Sequence, residues 1–309
     1  MILAQALARH DTILAEGSVY ELLRRDSRVS FDPDIAHAGL VYDDLLRTLL
    51  AEVHREYIRI ANEAGLPIIA FADTWRASEE RIARSRFAGR DVNGDNVRFI
   101  RGLAEEAGDD VIVAAYTGPR GDGYQPDQAP RRDEARTIHA AQIEALAMSG
   151  VDLIVAATLP SLEEARGIAS LLARSGVAWM LSFVVRRDGT LLDGTLLGEA
   201  ISRIDDDSIR LPIGYAINCV HPDVFCDAAR AAGGAARRII ALQANASSLS
   251  PEELDGSDTV EGDGPEEWAA AMVEARRVAT LPIVGGCCGT SPDHIRALVE
   301  AIAGTDDRA

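Results

Sequence analysis

Eight short apolar runs, each followed by a stretch with helical periodicity, recur from one end of the chain to the other. Near-continuous apolar character is typical of strands that are buried on both faces of a parallel sheet. The runs are TILAEG from residue 12, PIIAFADT from 67, DVIVAAYTG from 110, DLIVAAT from 152, AWMLSFVV from 178, PIGYAINC from 212, RIIALQAN from 238 and LPIVGGCC from 281.

The segments between these runs carry the signals of amphipathic helices. The clearest apolar stripe, which a helix would place on one face, consists of Leu46, Leu49, Leu50, Val53, Tyr57 and Ile60. Ser161, with Glu164 three residues later, predicts a capping box at a helix start. Ser291 and Pro292 predict the N-cap and first-turn proline of the last helix.

Strict alternation of eight strands and eight helices predicts an α/β fold, a single (β/α)8 TIM barrel that spans residues 1–309 as one domain. The fold typically takes about 250 residues, which leaves room here for insertions. The alternative is a doubly wound open sheet, but the count of eight favours closure. The longer connections, Asp26 to Ala38, Gly118 to Arg131 and Ser247 to Gly264, are predicted to be loops over the sheet.

Charge and hydropathy exclude two classes of partner. A formal net charge of −18 disfavours binding to nucleic-acid backbones. No apolar stretch approaches the roughly 20 residues that span a bilayer, so we expect no membrane partner. The N-terminal stretch MILAQALARHDTILAEG lacks the basic start and cleavage site of a secretory signal, which favours a cytoplasmic location. The sequence carries no indication of the oligomeric state.

Three of the four cysteines fall at the ends of predicted strands. Cys219 ends the sixth strand, and Cys287 and Cys288 end the eighth, at the carboxyl-end rim where barrels of this kind carry their active sites. Thiolates in such a cluster favour tetrahedral zinc, so we predict a Zn²⁺ site. The alternative is that they are small buried apolar residues, as we expect for Cys226 inside a helix. His221 is expected at a helix start rather than on the metal.

A zinc ion held by three thiolates is suited to a particular chemistry. Strong thiolate donation makes the metal a poor Lewis acid, whereas water-activating sites typically use histidines and carboxylates. Zinc-assisted hydrolysis or lyase chemistry is therefore disfavoured. An open fourth position could instead bind a substrate thiol, deprotonate it and leave a nucleophilic sulfur. The ligand set thus favours alkyl transfer to a thiol.

The GGCCGT segment, together with the NC strand end before it, resembles the homocysteine S-methyltransferase family of zinc-dependent (β/α)8 barrels. Further segments agree in order along most of the chain: ILAEGSVYELLRR from residue 13, HREYIRIANEAGLPIIAFADTW from 54, TGPRGD from 117, HAAQIEAL from 139, GVDLIVAATLP from 150, DGTLLGEAI from 193 and ALQANA from 241. The resemblance implies that Cys219, Cys287 and Cys288 bind zinc.

Two departures from the family pattern concern the acceptor. Acidic residues on the family's first and fourth strands help to hold the amino group of homocysteine, and Ala15 and Ala157 occupy those positions here. Glu16 and Asp73 could supply replacement carboxylates, although neighbouring strand residues point to opposite faces, which makes Glu16 an imperfect substitute. We therefore expect homocysteine to be a poorer acceptor than a thiol without an α-ammonium group, with takeover by Glu16 and Asp73 as the open alternative.

Taken together, these patterns predict a zinc-dependent methyltransferase that moves a methyl group from a sulfonium or quaternary ammonium donor to a small thiol, either homocysteine or a related compound. No G-x-G-x-x-G fingerprint follows the first strand, so a Rossmann-type nucleotide site is not indicated. We expect the donor on the rim near Trp75 and the 118–131 loop, where Trp75 would either make a cation–π contact with the donor or pack beneath a loop. The alternative is a catalytically altered zinc-binding barrel that serves as a sensor or binding protein. The residues predicted to contact substrate are Glu16, Gly17, Asp73, Thr74, Trp75, Thr158, Asn218 and Asn245.

Overall fold

The computed structural model describes residues 2–108, 110–249 and 262–306. Its centre is a closed barrel of eight parallel strands in sequential order, which confirms the predicted (β/α)8 fold and rules out an open sheet. Each strand lies within one of the eight apolar runs, except that β4 extends one residue beyond its run, to Leu159. The strands are β1 (Ile13–Ala15), β2 (Ile68–Ala72), β3 (Val111–Thr117), β4 (Leu153–Leu159), β5 (Ala178–Phe183), β6 (Gly214–Asn218), β7 (Ile239–Ala244) and β8 (Ile283–Gly286).

Closure of the barrel depends on its shortest strand, β1. Leu14 pairs with Ile68 of β2 on one side and with Val284 of β8 on the other. Strand geometry ends at Ala15, so the residues that follow are released from the sheet at the carboxyl end.

Helices surround the barrel, and several lie outside the simple eightfold alternation. Short helices precede the main helix after β1 and after β2, and 3-10 turns span His37–Tyr42 and Pro126–Gln128. The α-helices within the described residues are α1 (Leu3–Arg9), α2 (Val19–Arg24), α3 (Asp44–Glu63), α4 (Glu79–Arg84), α5 (Val92–Ala107), α6 (Arg132–Met148), α7 (Leu162–Leu172), α8 (Leu197–Asp207), α9 (Pro222–Ala232), α10 (Pro265–Val278) and α11 (Pro292–Asp306). Within the same ranges, no helix has the length and apolar character to cross a membrane.

Alternating side chains divide the core into two layers. Leu14, Ile68 and their equivalents face the helices, whereas the barrel interior holds a separate apolar cluster. Leu3 and Ala6 of α1 belong to the interior cluster and close its amino end. Small side chains such as Ala15 and Ala157 leave space towards the carboxyl end of this interior.

One predicted helix cap does not form. The Ser161 side chain makes no cap hydrogen bond at the start of α7, so the capping-box prediction was wrong. Glu164 is instead buried against α6, where its carboxylate lies 2.9 Å from His139 Nε2 and accepts a hydrogen bond from the Arg120 backbone N–H. The long-range contacts replace the local one and supply partners to one oxygen, Oε1, of this buried carboxylate.

The long connections fit their prediction where they are described. The connection from Asp26 to Ala38 is irregular until the 3-10 turn that begins at His37, and the connection from Gly118 to Arg131 contains only a short 3-10 turn. Most of the predicted Ser247–Gly264 loop lies outside the described residues.

Candidate metal and substrate site

A cavity of about 370 Å³ opens at the carboxyl end of the barrel. Its lining comes from the ends of most of the strands and from the segments that follow β1 and β3. Of the predicted site residues, Glu16, Gly17, Asp73, Trp75, Thr158, Asn218, Cys219, Cys287 and Cys288 line it.

The three predicted zinc ligands meet at one point of this cavity. The sulfur atoms of Cys219, Cys287 and Cys288 all lie within 4.8 Å of one another, and the Sγ atoms of Cys219 and Cys287 are 2.8 Å apart. We call these three residues the thiol cluster. Among the described residues it is the one group of three or more His, Cys, Asp or Glu side chains with metal-binding spacing.

Backbone geometry at the strand ends brings the thiols together. Cys219 adopts a φ of 56°, an uncommon left-handed conformation for a residue with a Cβ, directly after β6. The Cys287 backbone N–H donates to the Ala244 carbonyl, and the Cys288 N–H donates to Asn245 Oδ1. Asn245 lies outside the cavity lining and thus holds the cysteine segment in place from behind.

Asn218 and Thr158 form a second support for the cluster. Asn218 Oδ1 accepts from the Thr158 backbone N–H at 3.0 Å, and its Nδ2 donates to Thr158 Oγ1 at 2.8 Å. The same Nδ2 lies 3.2 Å from Cys219 Sγ, where it can donate to a thiolate. Thr158 also has a positive φ, of 63°. The Asn218 side chain thus contacts two residues with strained backbones, Thr158 and Cys219. Backbone strain of this kind concentrates at functional sites.

The thiols compete for negative charge. Hydrogen bonds from Cys287 and Cys288 hold the pKa of the Cys219 thiol well below its usual range. The same interaction with Cys219 raises the pKa of Cys287 and of Cys288 well above theirs. Because like charges this close cannot all ionise in a buried site, three thiolates together require a cation. The donor set therefore fits a soft divalent metal ion.

A different arrangement surrounds the two predicted carboxylates. His54 of α3 lies between them, with Nδ1 2.6 Å from Glu16 Oε1 and Nε2 3.2 Å from Asp73 Oδ2. His37 Nε2 lies 2.9 Å from Asp73 Oδ1. The second Glu16 oxygen accepts from the Phe71 backbone N–H at 2.9 Å. We call Glu16, His54, Asp73 and His37 the acid–histidine chain.

The charges in the acid–histidine chain compensate one another. Burial alone would favour the neutral ring, but Glu16 and Asp73 raise the pKa of His54 to about 10. Burial likewise opposes ionisation of Asp73, yet His37 and His54 hold its pKa well below the usual range. At neutral pH a cationic His54 thus sits between two carboxylates, and every carboxylate oxygen has a hydrogen-bond partner within the chain or the backbone.

The position of Glu16 differs from the sequence-based expectation. The expectation that strand alternation turns Glu16 away from the cavity was wrong, because β1 ends at Ala15 and Glu16 lines the cavity. Ala157 contributes only a methyl group to the cavity wall, and Ala15 is buried beneath it in the barrel interior.

The remaining predicted contacts fall into two groups. Gly17 lines the cavity over Tyr57, where an added Cβ would lie 2.6 Å from the phenol oxygen. Thr74 does not line the cavity; its hydroxyl donates to the Tyr116 carbonyl at 2.6 Å. Trp75 lines the cavity, but the Arg76 guanidinium lies 4.2 Å from the centre of its ring, so one cation already occupies a Trp75 face.

The prediction missed several lining residues. Tyr124, on the 118–131 loop, lines the cavity and is among the groups that lower the pKa of the Cys219 thiol. Tyr116 and Gln243 project into the barrel from β3 and β7. The signal for Gln243 was present, because a polar residue inside an apolar strand run is unusual. His37 and His54 were missed as well, although His54 interrupts the apolar stripe of α3.

His221 and Cys226 have the expected places outside the cluster. His221 is the N-cap of α9, where its Nδ1 accepts from the Asp223 backbone N–H at 3.2 Å. Cys226 is buried inside α9, and this burial raises the pKa of its thiol to about 11. An inert, protonated thiol of this kind is typical of a core cysteine.

Comparisons with known proteins agree with this geometry. Residues 10–302 match the family model described as homocysteine S-methyltransferase. Homocysteine S-methyltransferase 4 of Zea mays is 27% identical, with 82% of this chain and 79% of the maize protein covered. The homocysteine S-methyltransferase of Escherichia coli K12 is also 27% identical, over 81% of this chain and 83% of that protein.

A solved structure supports the fold independently. The crystal structure of the homocysteine methyltransferase MmuM from Escherichia coli in its metallated form matches with a TM-score of 0.77 at 23% identity. The match covers 96% of this chain and 99% of that chain. Since the family match extends over nearly the whole barrel, the chain belongs to the homocysteine S-methyltransferase family and is a methyltransferase.

Proposed function

We propose that this chain is a zinc-dependent S-methyltransferase that transfers a methyl group from a sulfonium or quaternary ammonium donor to a small thiol, either homocysteine or a related compound. The observation that carries the proposal is the thiol cluster, which lies in the wall of the cavity at the carboxyl end of the barrel. Membership of the homocysteine S-methyltransferase family supports the reaction type.

Cys219, Cys287 and Cys288 would hold the metal ion. Zinc bound there supplies a position at which a substrate thiol loses its proton near neutral pH, far below its ordinary pKa of about 8.5. The hydrogen bond from Asn218 Nδ2 orients Cys219 for this task. Asn245 does the same for Cys288 through the backbone. Outer contacts of this kind commonly set metal affinity.

The transfer itself is a displacement at carbon. The acceptor sulfur uses an electron pair to form a bond to the methyl carbon, while the bond from that carbon to the donor heteroatom breaks. The bonding pair stays on the heteroatom, which becomes a neutral thioether or tertiary amine. The thiol proton leaves to solvent. The protein has to hold the two substrates in line and keep water from the sulfur.

The donor cation has aromatic neighbours along the cavity. Tyr20, Tyr124 and Trp75 line the same cavity as the thiol cluster. Methylated cations bind to aromatic faces by cation–π attraction. Because Arg76 covers one face of Trp75, only the remaining surface of that ring is suited to a donor.

The acceptor site offers little to an α-ammonium group. Glu16 and Asp73 are both held by His54, and alanines occupy the two positions where the family pattern has acids. Transferring an ammonium from water to a site without a free carboxylate carries a desolvation cost with no compensating ion pair. We therefore propose that homocysteine is a poorer acceptor than its des-amino analogue.

Methyl transfer with purified, zinc-loaded protein tests the proposal. S-methylmethionine, S-adenosylmethionine and betaine would be combined as donors with a panel of small thiols, and the methylated product measured directly. We expect turnover with at least one pair and stoichiometric zinc in the active protein. Absence of turnover with every pair would reject the activity as stated here.

A further inference from the structure

Gln243 is a polar residue inside the barrel that the proposed chemistry does not use. It lies on β7, between β6, which Cys219 directly follows, and β8, which leads to Cys287. Its carbonyl accepts from the Cys219 backbone N–H at 3.2 Å. Ala241, two residues earlier, belongs to the barrel-interior cluster, so the alternation of the strand also turns Gln243 inward. The side chain therefore enters the cavity beside the thiol cluster.

The orientation of the Gln243 amide is fixed by a residue on the opposite side of the barrel. Tyr116 of β3 donates its hydroxyl proton to Gln243 Oε1 at 2.9 Å. Tyr116 is itself held by Phe71, with the two rings stacked 4.1 Å apart and nearly parallel. Gln243 Nε2 has no hydrogen-bond partner among the described residues, and the residue lines the cavity. A fixed N–H donor thus faces the space where an acceptor thiol would lie.

The surroundings of this amide give it a selective role. The Tyr116 ring that holds it and the Phe71 ring stacked on Tyr116 carry no charge, and the same cavity is lined by the Ala157 methyl group. The nearby carboxylates of Glu16 and Asp73 are engaged in the acid–histidine chain. An N–H donor without a partner favours an oxygen atom of the ligand. It disfavours an ammonium group, because that group also carries only N–H donors.

We propose that Gln243 determines acceptor specificity by donating a hydrogen bond to an oxygen atom at the far end of the thiol. The preferred acceptor then carries a carboxylate or an amide carbonyl at that end. This inference rests on the proposed function, because it assumes that a thiol is bound at the thiol cluster. Tyr116 acts as a positioning residue, since it holds the amide but does not itself supply the donor.

Four thiols of similar length separate the possible recognition elements. 4-Sulfanylbutanoate carries a carboxylate, 4-sulfanylbutanamide a neutral carbonyl, 3-sulfanylpropan-1-amine an ammonium, and propane-1-thiol no polar end. Dissociation constants would be measured by calorimetry on the zinc-loaded protein, and kcat/KM in the transfer assay. We expect one or both oxygen-bearing thiols to bind about 10- to 100-fold more tightly than propane-1-thiol, with the amine at or below propane-1-thiol. The first two thiols show whether the oxygen is preferred as an anion or as a neutral carbonyl.

Variants of Gln243 then assign the preference to this residue. Gln243→Leu should abolish the advantage of the oxygen-bearing thiols, so that their kcat/KM equals that of propane-1-thiol measured with the same variant. Gln243→Glu should reverse the order and favour 3-sulfanylpropan-1-amine, because a carboxylate accepts where the amide donates. Tyr116→Phe should give a smaller loss with the same pattern. Gln5→Leu, at an exposed position on α1, is the matched control. Zinc content and circular dichroism establish that each variant is folded and loaded.

The outcomes separate this inference from the proposed function. Propane-1-thiol has no oxygen to recognise, so its methylation reports on the reaction alone. Equal binding of propane-1-thiol and both oxygen-bearing thiols to the wild type would overturn the role of Gln243, even if a variant failed to fold. An unchanged preference in folded Gln243→Leu would overturn it as well. Failure to methylate any thiol would instead reject the proposed function.

Discussion

The thiol cluster and the acid–histidine chain are both groups of ionisable side chains at the carboxyl end of one barrel, but they balance their charge in opposite ways. In the cluster, ionisation of Cys219 raises the pKa of Cys287 and Cys288, so the group cannot hold three charges unaided. In the chain, His54 takes up a proton between Glu16 and Asp73, and the group is balanced from within.

This difference shows which group is built to bind a ligand. Buried charges that lack partners are costly, so the three thiolates fit a cation supplied from outside. The acid–histidine chain already contains its cation and serves to tie β1, β2 and α3 together around the cavity. A count of carboxylates near the site would therefore overstate its capacity to bind an ammonium group.

The largest expected effect follows from removing a thiol from the cluster. Cys219→Ala, Cys287→Ala and Cys288→Ala should each lose zinc and lower kcat/KM by more than about 100-fold, since even changes behind a ligand cost about 10- to 100-fold in metal affinity. The barrel should remain folded, because its large apolar core does not depend on the rim. Metal analysis, kinetics and circular dichroism measure the three quantities.

Cys226→Ala is the control for this series, because its thiol is buried in α9 outside the cluster. It should keep both zinc and activity. Loss of zinc in this variant, with retention in Cys219→Ala, would mean that the thiol cluster is not the metal site.

The second effect concerns stability and tests the internal balance of the acid–histidine chain. His54→Gln keeps a polar side chain but removes the cation between two buried carboxylates. Breaking a buried charge pair in this way typically costs about 3–5 kcal/mol in the free energy of unfolding. Denaturant titration of this variant, with His10→Gln at the end of α1 as control, measures the cost. A loss no greater than that of the control would show that the chain is not charge-coupled.

The pH dependence of stability gives a third, smaller effect. The pKa of His54 rises from its ordinary value of 6.5 to about 10 on folding, so its stabilising contribution is complete below pH 6.5 and is lost as the pH rises through 10. Asp73 has a lowered pKa, and its contribution is present above its ordinary value of 3.8 and is lost in more acidic solution. Between pH 6.5 and 10, the free energy of unfolding of the wild type should therefore fall by up to about 1.4 kcal/mol per pH unit relative to that of His54→Gln. Parallel stability curves for the two proteins would contradict this assignment.

The smallest expected effect concerns acceptor preference in variants of Glu16 and Asp73. If Glu16 and Asp73 do not bind the acceptor, Glu16→Gln and Asp73→Asn should leave the ratio of kcat/KM for homocysteine to that for 4-sulfanylbutanoate nearly constant. The ratio cancels any general loss of folded enzyme. A strong wild-type preference for homocysteine that either variant abolishes would show that one of these carboxylates binds the α-ammonium group.

The barrel and the thiol cluster could be predicted from the sequence because both depend on local signals. Apolar runs mark buried strands, and the carboxyl ends of parallel strands meet at one rim, so Cys219 and Cys287 had to lie close together once the order of strands was known. The placement of His221 and Cys226 followed from helix signals of the same local kind.

The parts that escaped prediction depend on contacts between residues far apart in sequence. Glu164 contacts His139 and the Arg120 backbone instead of forming a local cap. Glu16 reaches the cavity because β1 ends at Ala15, two residues before the end of the predicted run. The pairing of Glu16 with His54 bridges 38 positions and leaves no periodic signal. Whether a carboxylate is free or already paired is a property of the folded barrel alone.

The most direct test of the account is the zinc environment measured by X-ray absorption, with and without an acceptor thiol. The protein as isolated with zinc should show three sulfur neighbours and one lighter atom, and adding homocysteine or 4-sulfanylbutanoate should replace the lighter atom by a fourth sulfur. A zinc site that keeps its lighter neighbour at saturating thiol, or a protein that binds no zinc, would contradict the central claim that the thiol cluster prepares a thiol for methylation.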